Sequence, residues 1–246
     1  MPTKKTSSSA TFSPRSLLLP GLALLAVTAL GVAAFAGGDD DGTSGPPEPS
    51  EHDAQPTEET DALAQIERRQ EGDPLALGDV DAPVVMVEWA DFQCPFCGSF
   101  ARDTKPELMQ RYVDEGVLRI EWRDFPVLGA ESRTAALAGR AAAEQGVFWE
   151  MHDEIYAEDR ERNAGELDED SLIDMADDLG LDVERFADAL GDPEHEQAAE
   201  ADLQLGQQLG LTGTPAFLIN GQVLVGGQPP EVFAQAIEQA AAEASS

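Results

Sequence analysis

Two cysteines and the stretch just before them limit most sharply what this chain can fold into. From Val84 the sequence reads Val-Val-Met-Val-Glu-Trp-Ala, with Val85, Val87 and Trp89 on one alternate set and Val84, Met86 and Glu88 on the other. A strand turns successive side chains to opposite faces. A run that is largely apolar on both is therefore expected in the middle of a sheet with both faces covered. It stops at Asp91-Phe92-Gln93, and Cys94-Pro95-Phe96-Cys97 follows, containing the only two cysteines of the protein. A helix is expected from there, with Phe100, Leu108, Tyr112 and Val113 inward, a kink at Pro106 and an end at Gly116.

The remaining elements fall on either side of this unit. Asp61 to Gln70 is expected to form a short helix through Leu63 and Ile66, leading to a short edge strand at Leu75-Ala76-Leu77. Leu118, Ile120 and Trp122 alternate with Arg119, Glu121 and Arg123, which reads as a strand with one solvated face at a sheet edge. Strand, helix, strand implies a right-handed crossover between parallel neighbours. From Glu131 to about Gly210 the spacing is helical, in stripes punctuated by Gly146, Gly180 and Gly191. Then Ala216-Phe217-Leu218-Ile219 and Val223-Leu224-Val225 flank Asn220-Gly221, a strong hairpin signal. Pro229-Pro230 opens a last helix through Val232, Phe233, Ala236, Ile237 and Ala240. The order βαβ, helical block, ββα predicts an α/β fold: a mixed sheet with strands ordered second, first, third, fourth, and a helical insertion at about residues 130–210.

The N-terminal part reads as a targeting segment. Lys4, Lys5 and Arg15 precede Ser16 to Ala36, an uncharged apolar run long enough to span a bilayer, and the first acid comes only at Asp39. Basic before and acidic after places everything beyond residue 36 outside the cytoplasm. An uncleaved anchor is the favoured reading over a signal peptide cut after Ala36. Residues 37–60 read as a disordered acidic linker, and residues 61–246 as the folded domain. Forty-eight acidic against 15 basic residues give a net charge of −33. Such a surface excludes nucleic acid as a partner and leaves the membrane only the N-terminal segment. The excess reads as a solvated coat spread along the chain.

Two thiols two residues apart at a strand-to-helix turn have a specific chemical use. Cys94 is expected at the helix N-terminus, where free N–H groups and the helix dipole stabilise a thiolate, as an exposed nucleophile and leaving group. Cys97, one turn in, is suited to resolve a mixed disulfide. Pro95 suits the first helical turn. A purely structural disulfide would close too short a loop to constrain the unfolded chain much. Zinc would need four ligands, and His52, His152 and His195 are scattered. Glu88 lies on an otherwise buried strand and reads either as a buried acid of raised pKa, able to exchange a proton with a thiol, or as a rim carboxylate. Asp91, in the turn, is expected to be solvated. Pro215, after Gly213-Thr214, is either an ordinary trans residue or a cis one. In the cis form it would turn the backbone of Thr214 toward the cysteines, ready to pair with an extended substrate.

The series Leu77-Gly78-Asp79, Ala82-Pro83, Glu88 to Cys97, Phe125-Pro126, Gln145 to Glu150, Gly213-Thr214-Pro215 and Asn220-Gly221 resembles the DsbA-like thiol-disulfide oxidoreductases, in the membrane-anchored or secreted branch. The resemblance covers about Leu75 to Ala240. It implies a thioredoxin-like fold, Cys94 as nucleophile, Cys97 as resolving thiol, Glu88 as buried acid and Pro215 as the cis-proline beside the disulfide, with Thr214, Pro95 and Phe96 meeting substrate. It further implies no cofactor beyond the redox-active Cys94–Cys97 pair, exported proteins with free thiols as substrates, and reoxidation by a membrane quinone-linked thiol oxidase. Many family members carry His where this chain has Phe96, which implies a less depressed Cys94 pKa. A reductase or isomerase of the same fold, and a redox-inert peptide-binding module or chaperone, are the alternatives.

Overall fold

The strand Val84–Ala90 (β2) is buried along its whole length and lies at the centre of a five-stranded mixed sheet in a computed structural model that describes residues 66–246. It pairs in parallel with β3 (Leu118–Asp124) and antiparallel with β4 (Ala216–Ile219). Outside these lie β1 (Ala76–Leu77), antiparallel to β3, and β5 (Gln222–Val225), antiparallel to β4. The expected order of the four main strands is met, with β1 added beyond β3. The leader and linker expected before residue 61, and the first half of the short helix expected at residues 61–70, lie outside the described residues. Among the described residues no helix is long and apolar enough to cross a membrane.

Each face of β2 meets a different layer. Val84 and Met86 pack with Phe100 and Leu108 of the helix after the cysteines and with Phe233 and Ile237 of the last helix, α7 (Pro230–Ala244). Val85, Val87 and Trp89 pack on the other side with Leu203. The helix after the cysteines, α1 (residues 95–113), has two α-helical and two π-helical stretches, Pro95–Ser99, Phe100–Thr104, Lys105–Leu108 and Met109–Val113. The irregularity expected at Pro106 is thus absorbed by a π-turn just before it, where Lys105 N–H reaches back to Phe100 O.

The helical insertion comprises α2 (Ala130–Ala143), α3 (Phe148–Tyr156), α4 (Glu169–Asp178), α5 (Val183–Leu190) and α6 (Pro193–Gln208). Asp168, Asp182 and Asp192 cap the last three, each accepting a backbone N–H within the first turn. The Asn220-Gly221 hairpin forms as expected, both residues having positive φ as a type I′ turn requires. Asn220 also ties the hairpin to β2, accepting from Val85 N–H and donating to Pro83 O.

Two expectations are corrected. Residues 67–70 are not helical; they run over β3, with Arg68 and Arg69 N–H groups both donated to the Glu121 carboxylate at 2.7 and 2.9 Å. With β1 paired outside it and this segment over its face, β3 is neither the edge strand nor wet on one side. Arg119 and Glu121 are buried and paired at 2.8 Å, and Arg123 pairs with Asp202 of α6 at 2.7 Å. Arg140 of α2 bridges Asp124 and Asp202. Alternation of charge and apolar residues looks the same whether the charges meet water or each other.

Candidate active site

At the end of β2 the chain turns through Asp91-Phe92-Gln93 and enters α1 with Cys94 at the N-cap and Pro95 in the first turn. A proline there forfeits no hydrogen bond, because the first N–H groups of a helix have no intrahelical partner. The turn is held by one residue above all. Asp91 Oδ1 accepts from Gln93 N–H at 2.8 Å, Oδ2 from Val127 and Leu128 N–H at 2.8 and 2.9 Å, and its carbonyl from Cys94 N–H and Tyr156 OH, both at 2.9 Å. Asp91 is therefore buried, contrary to the solvated acid expected, because distant backbone donors replace water around its carboxylate.

Cys94 and Cys97 both carry free thiols and occupy unequal environments. Cys97 is fully buried, and burial, with the neighbouring Cys94 sulfur, drives its pKa well above that of an ordinary thiol. Cys94 is 6% exposed, more enclosed than expected for the outer cysteine. Its pKa is lowered from 9.0 to about 6, first by a hydrogen bond from the Cys97 thiol, against the opposing effect of burial, then by the Thr214 side chain and the backbone of Cys97 and Phe96 at the helix start. No positive charge is among the main causes of this depression. Phe96 is 62% exposed and stands with Pro95 at the rim.

The distant half of the site arrives where expected. The Thr214–Pro215 peptide bond is cis, and the Cys94 thiol donates to Thr214 O at 3.3 Å. Pro215 is buried, while Thr214 is half-buried beside the cysteine. Antiparallel pairing of Trp89 with Ala216 carries this loop to the end of β2.

Glu88 is the third element. It is completely buried, opposite Trp122 on β3 and Phe217 on β4, so it is not a rim carboxylate. Both carboxyl oxygens lack a hydrogen-bond partner, and burial raises its pKa from 4.5 to about 8, with Lys105 pulling the other way. Its charge would in turn raise the pKa of Cys97.

The sequence reading missed the insertion's share of the site. Cys94 and Cys97 belong to one apolar cluster with Phe92, Trp122, Phe148, Met151 and Tyr156. Lys105 is buried on α1, its ammonium 2.5 Å from Asp153 and 3.2 Å from His152 of α3. A charge among the inward positions of α1, and a His and a Tyr spaced four apart after Phe148, were the available signals.

Comparison with known proteins agrees with this architecture. A family model described as thioredoxin matches residues 70–239. The Na(+)/H(+) antiporter NhaA 3 of Salinispora tropica is 36% identical over 169 residues, 68% of this chain and 24% of that protein. The chain thus spans about a quarter of the length of such relatives. A probable disulfide bond formation protein D of Bacillus anthracis is 32% identical over 152 residues, 60% of this chain and 70% of that protein. Among solved structures, oxidised BdbD from Bacillus subtilis superposes with a TM-score of 0.64 at 25% identity, covering 70% of this chain and 94% of that one.

Proposed function

The chain belongs to the thioredoxin family, in its DsbA-like branch, and from that premise we propose that it is a protein thiol-disulfide oxidoreductase working outside the cytoplasm, introducing disulfides into exported proteins. The observation that carries the reading is the inequality of the two thiols: Cys94 low in pKa at the helix start and touching Thr214, Cys97 buried behind it with a raised pKa.

In the oxidising direction a client thiolate attacks Cys94 Sγ of the disulfide, and the Cys94–Cys97 bond breaks with the electron pair passing to Cys97. A second client thiolate then attacks the client sulfur of the mixed disulfide, releasing Cys94 as a thiolate. The client leaves oxidised by two electrons and the protein as a dithiol. Because Cys94 is the more acidic thiol, it is the better leaving group in that second step. Cys97, whose thiolate is disfavoured by burial, must take up a proton, and Glu88, a buried acid of raised pKa whose charge acts on Cys97, is the group to supply it. Thr214 and Pro215 present backbone to an extended client, and Pro95 and Phe96 form the opposite rim. No cofactor enters beyond the Cys94–Cys97 pair. Reoxidation by a membrane quinone-linked thiol oxidase and anchoring through residues 16–36, or release after Ala36, complete the proposal and rest on family analogy and on the apolar leader.

The full chain is expected to speed disulfide formation in a reduced, unfolded protein supplied with glutathione disulfide, and Cys94→Ala to abolish it. In the cells that make it, alkylation trapping is expected to find the pair mostly oxidised. A mostly reduced pool would reverse the direction to a reductase or isomerase, and a parent chain without oxidase activity whose affinity for unfolded protein survives Cys94→Ala would make it a binding module.

A further inference from the structure

Among the described residues the acidic coat has one long gap. From Leu203 to Pro230 no side chain is charged, although 26% of the chain is Asp, Glu, Lys or Arg. The gap holds the Thr214–Pro215 loop and the β4–β5 hairpin, and burial does not account for all of it. β4 is buried, but β5 is the edge of the sheet, with Val223 49% and Val225 58% exposed. Edge strands are normally guarded by charge, proline or a bulge against pairing with other chains. β5 has none of these: its register with β4 runs without interruption from Ile219↔Gln222 to Ala216↔Val225.

That register also fixes which backbone groups are free. Gly226 N–H bonds Pro215 O at 2.8 Å, so alternate pairs along the ladder are bonded inward and the ones between face outward. Val223 and Val225 are the outward pair. Val225 O accepts from Gln228 Nε2 at 2.8 Å, and among the described residues Val223 N–H, Val223 O and Val225 N–H have no partner along the edge. Beside the strand, Leu224, Val232, Ala236, Gln235 and Gln239 line an uncharged groove of about 220 Å³. The edge leads to the reactive pair, because Gly227 lies against Phe96, and a Cβ there would stand 3.5 Å from Phe96 O.

Taking the thiol-disulfide reading of Cys94 as premise, we propose that the free edge of β5 is the docking strand for the client: an extended, uncharged segment rich in β-branched residues adds antiparallel to β5 at Val223 and Val225. β5 runs toward the site, so the added segment runs away from it, and the docking residues follow the client cysteine in sequence. The acidic coat turns away acidic segments, while the uncharged edge accepts apolar stretches that a folded protein would bury. Three backbone bonds give the weak, reversible capture that suits many clients.

Two reduced peptides of equal composition test this, one with Val-Thr-Val following a cysteine and one with the same run preceding it. The full chain is expected to exchange disulfides with the first about tenfold faster in kcat/KM, a difference of ~1.4 kcal/mol. The double variant Val223→Glu, Val225→Glu is expected to lose that preference while its reaction with dithiothreitol stays unchanged. Equal rates for both peptides on the parent chain, or a variant that keeps the preference, would overturn the docking strand. If the parent does not react with dithiothreitol, the thiol-disulfide reading itself fails. Docking is then read by fluorescence anisotropy with a serine-substituted peptide, where loss of binding in the double variant sustains it and equal binding refutes it. Concentration-dependent dimerisation of the parent that the double variant abolishes would assign the edge to a second copy instead.

Discussion

Glu88 gives the sharpest test of the site, because its burial has a thermodynamic signature separate from catalysis. In the folded protein its pKa is about 8, against 4.5 for an ordinary glutamate. Between those two values the folded chain holds a proton that the unfolded chain has released, so stability falls as pH rises through the window and levels off above it. Each unit of the window is worth about 1.4 kcal/mol, so its full width comes to roughly 4 to 5 kcal/mol. Glu88→Gln fills the same space and cannot ionise. Its buried amide replaces two carboxyl oxygens that already lack partners, which adds an offset independent of pH. Urea unfolding of both proteins, kept reduced with a phosphine, at intervals from pH 4.5 to 9 yields the difference between them. That difference should shift in favour of the variant by roughly 4 kcal/mol across the range. Curves that stay parallel to within about 0.5 kcal/mol would mean that Glu88 is ionised and stabilised at neutral pH, and the proton-donor role would fall with its raised pKa.

Two further outcomes follow from the same geometry. Thiolate absorbance at 240 nm should place the Cys94 titration near pH 6, and Cys97→Ala should raise that midpoint by at least one unit, since the Cys97 thiol is the largest stabilising influence on the Cys94 thiolate; an unmoved midpoint would transfer the effect to the helix N-terminus. Asp91→Ala strips an acceptor from the N–H groups of Gln93, Val127 and Leu128 at once, and should lower the unfolding free energy by about 3 kcal/mol, where a solvated turn acid would lower it by less than about 0.5 kcal/mol.

How much of this was readable beforehand depended on where the deciding partner lies in sequence. β2 was legible because its own residues declare both faces, and the β4–β5 hairpin because Asn220 and Gly221 carry the turn conformation in their chemistry. The two halves of the site could be brought together because hairpin pairing beside β2 leaves Thr214 and Pro215 one place to go. β3 was misread because the groups that bury Arg119, Glu121 and Arg123 belong to residues 66–70 and to Asp202. Asp91 was misread in the same way, its donors lying at Val127 and Leu128. A buried ion pair leaves no local mark that separates it from a wet one.

Glu88 was the exception, and the reason bears on the chemistry. A lone acid on a strand apolar on both faces has nowhere to find a partner nearby, and in the folded chain it has found none. An isolated carboxylate in such a place would be prohibitively expensive, so the group keeps its proton instead. On the proposed reading, that neutral state is the useful one in the oxidising direction. The leaving Cys97 sulfur sits where a thiolate is disfavoured, and an acid still protonated near pH 7 can neutralise it as the disulfide opens. Lys105, fixed by Asp153 at 2.5 Å, limits how far the Glu88 pKa rises, so the carboxylate left behind is not without a counter-charge. Burial without a hydrogen bond, ordinarily a defect, would on that reading keep a proton available in the core to a thiol that feels the Glu88 charge.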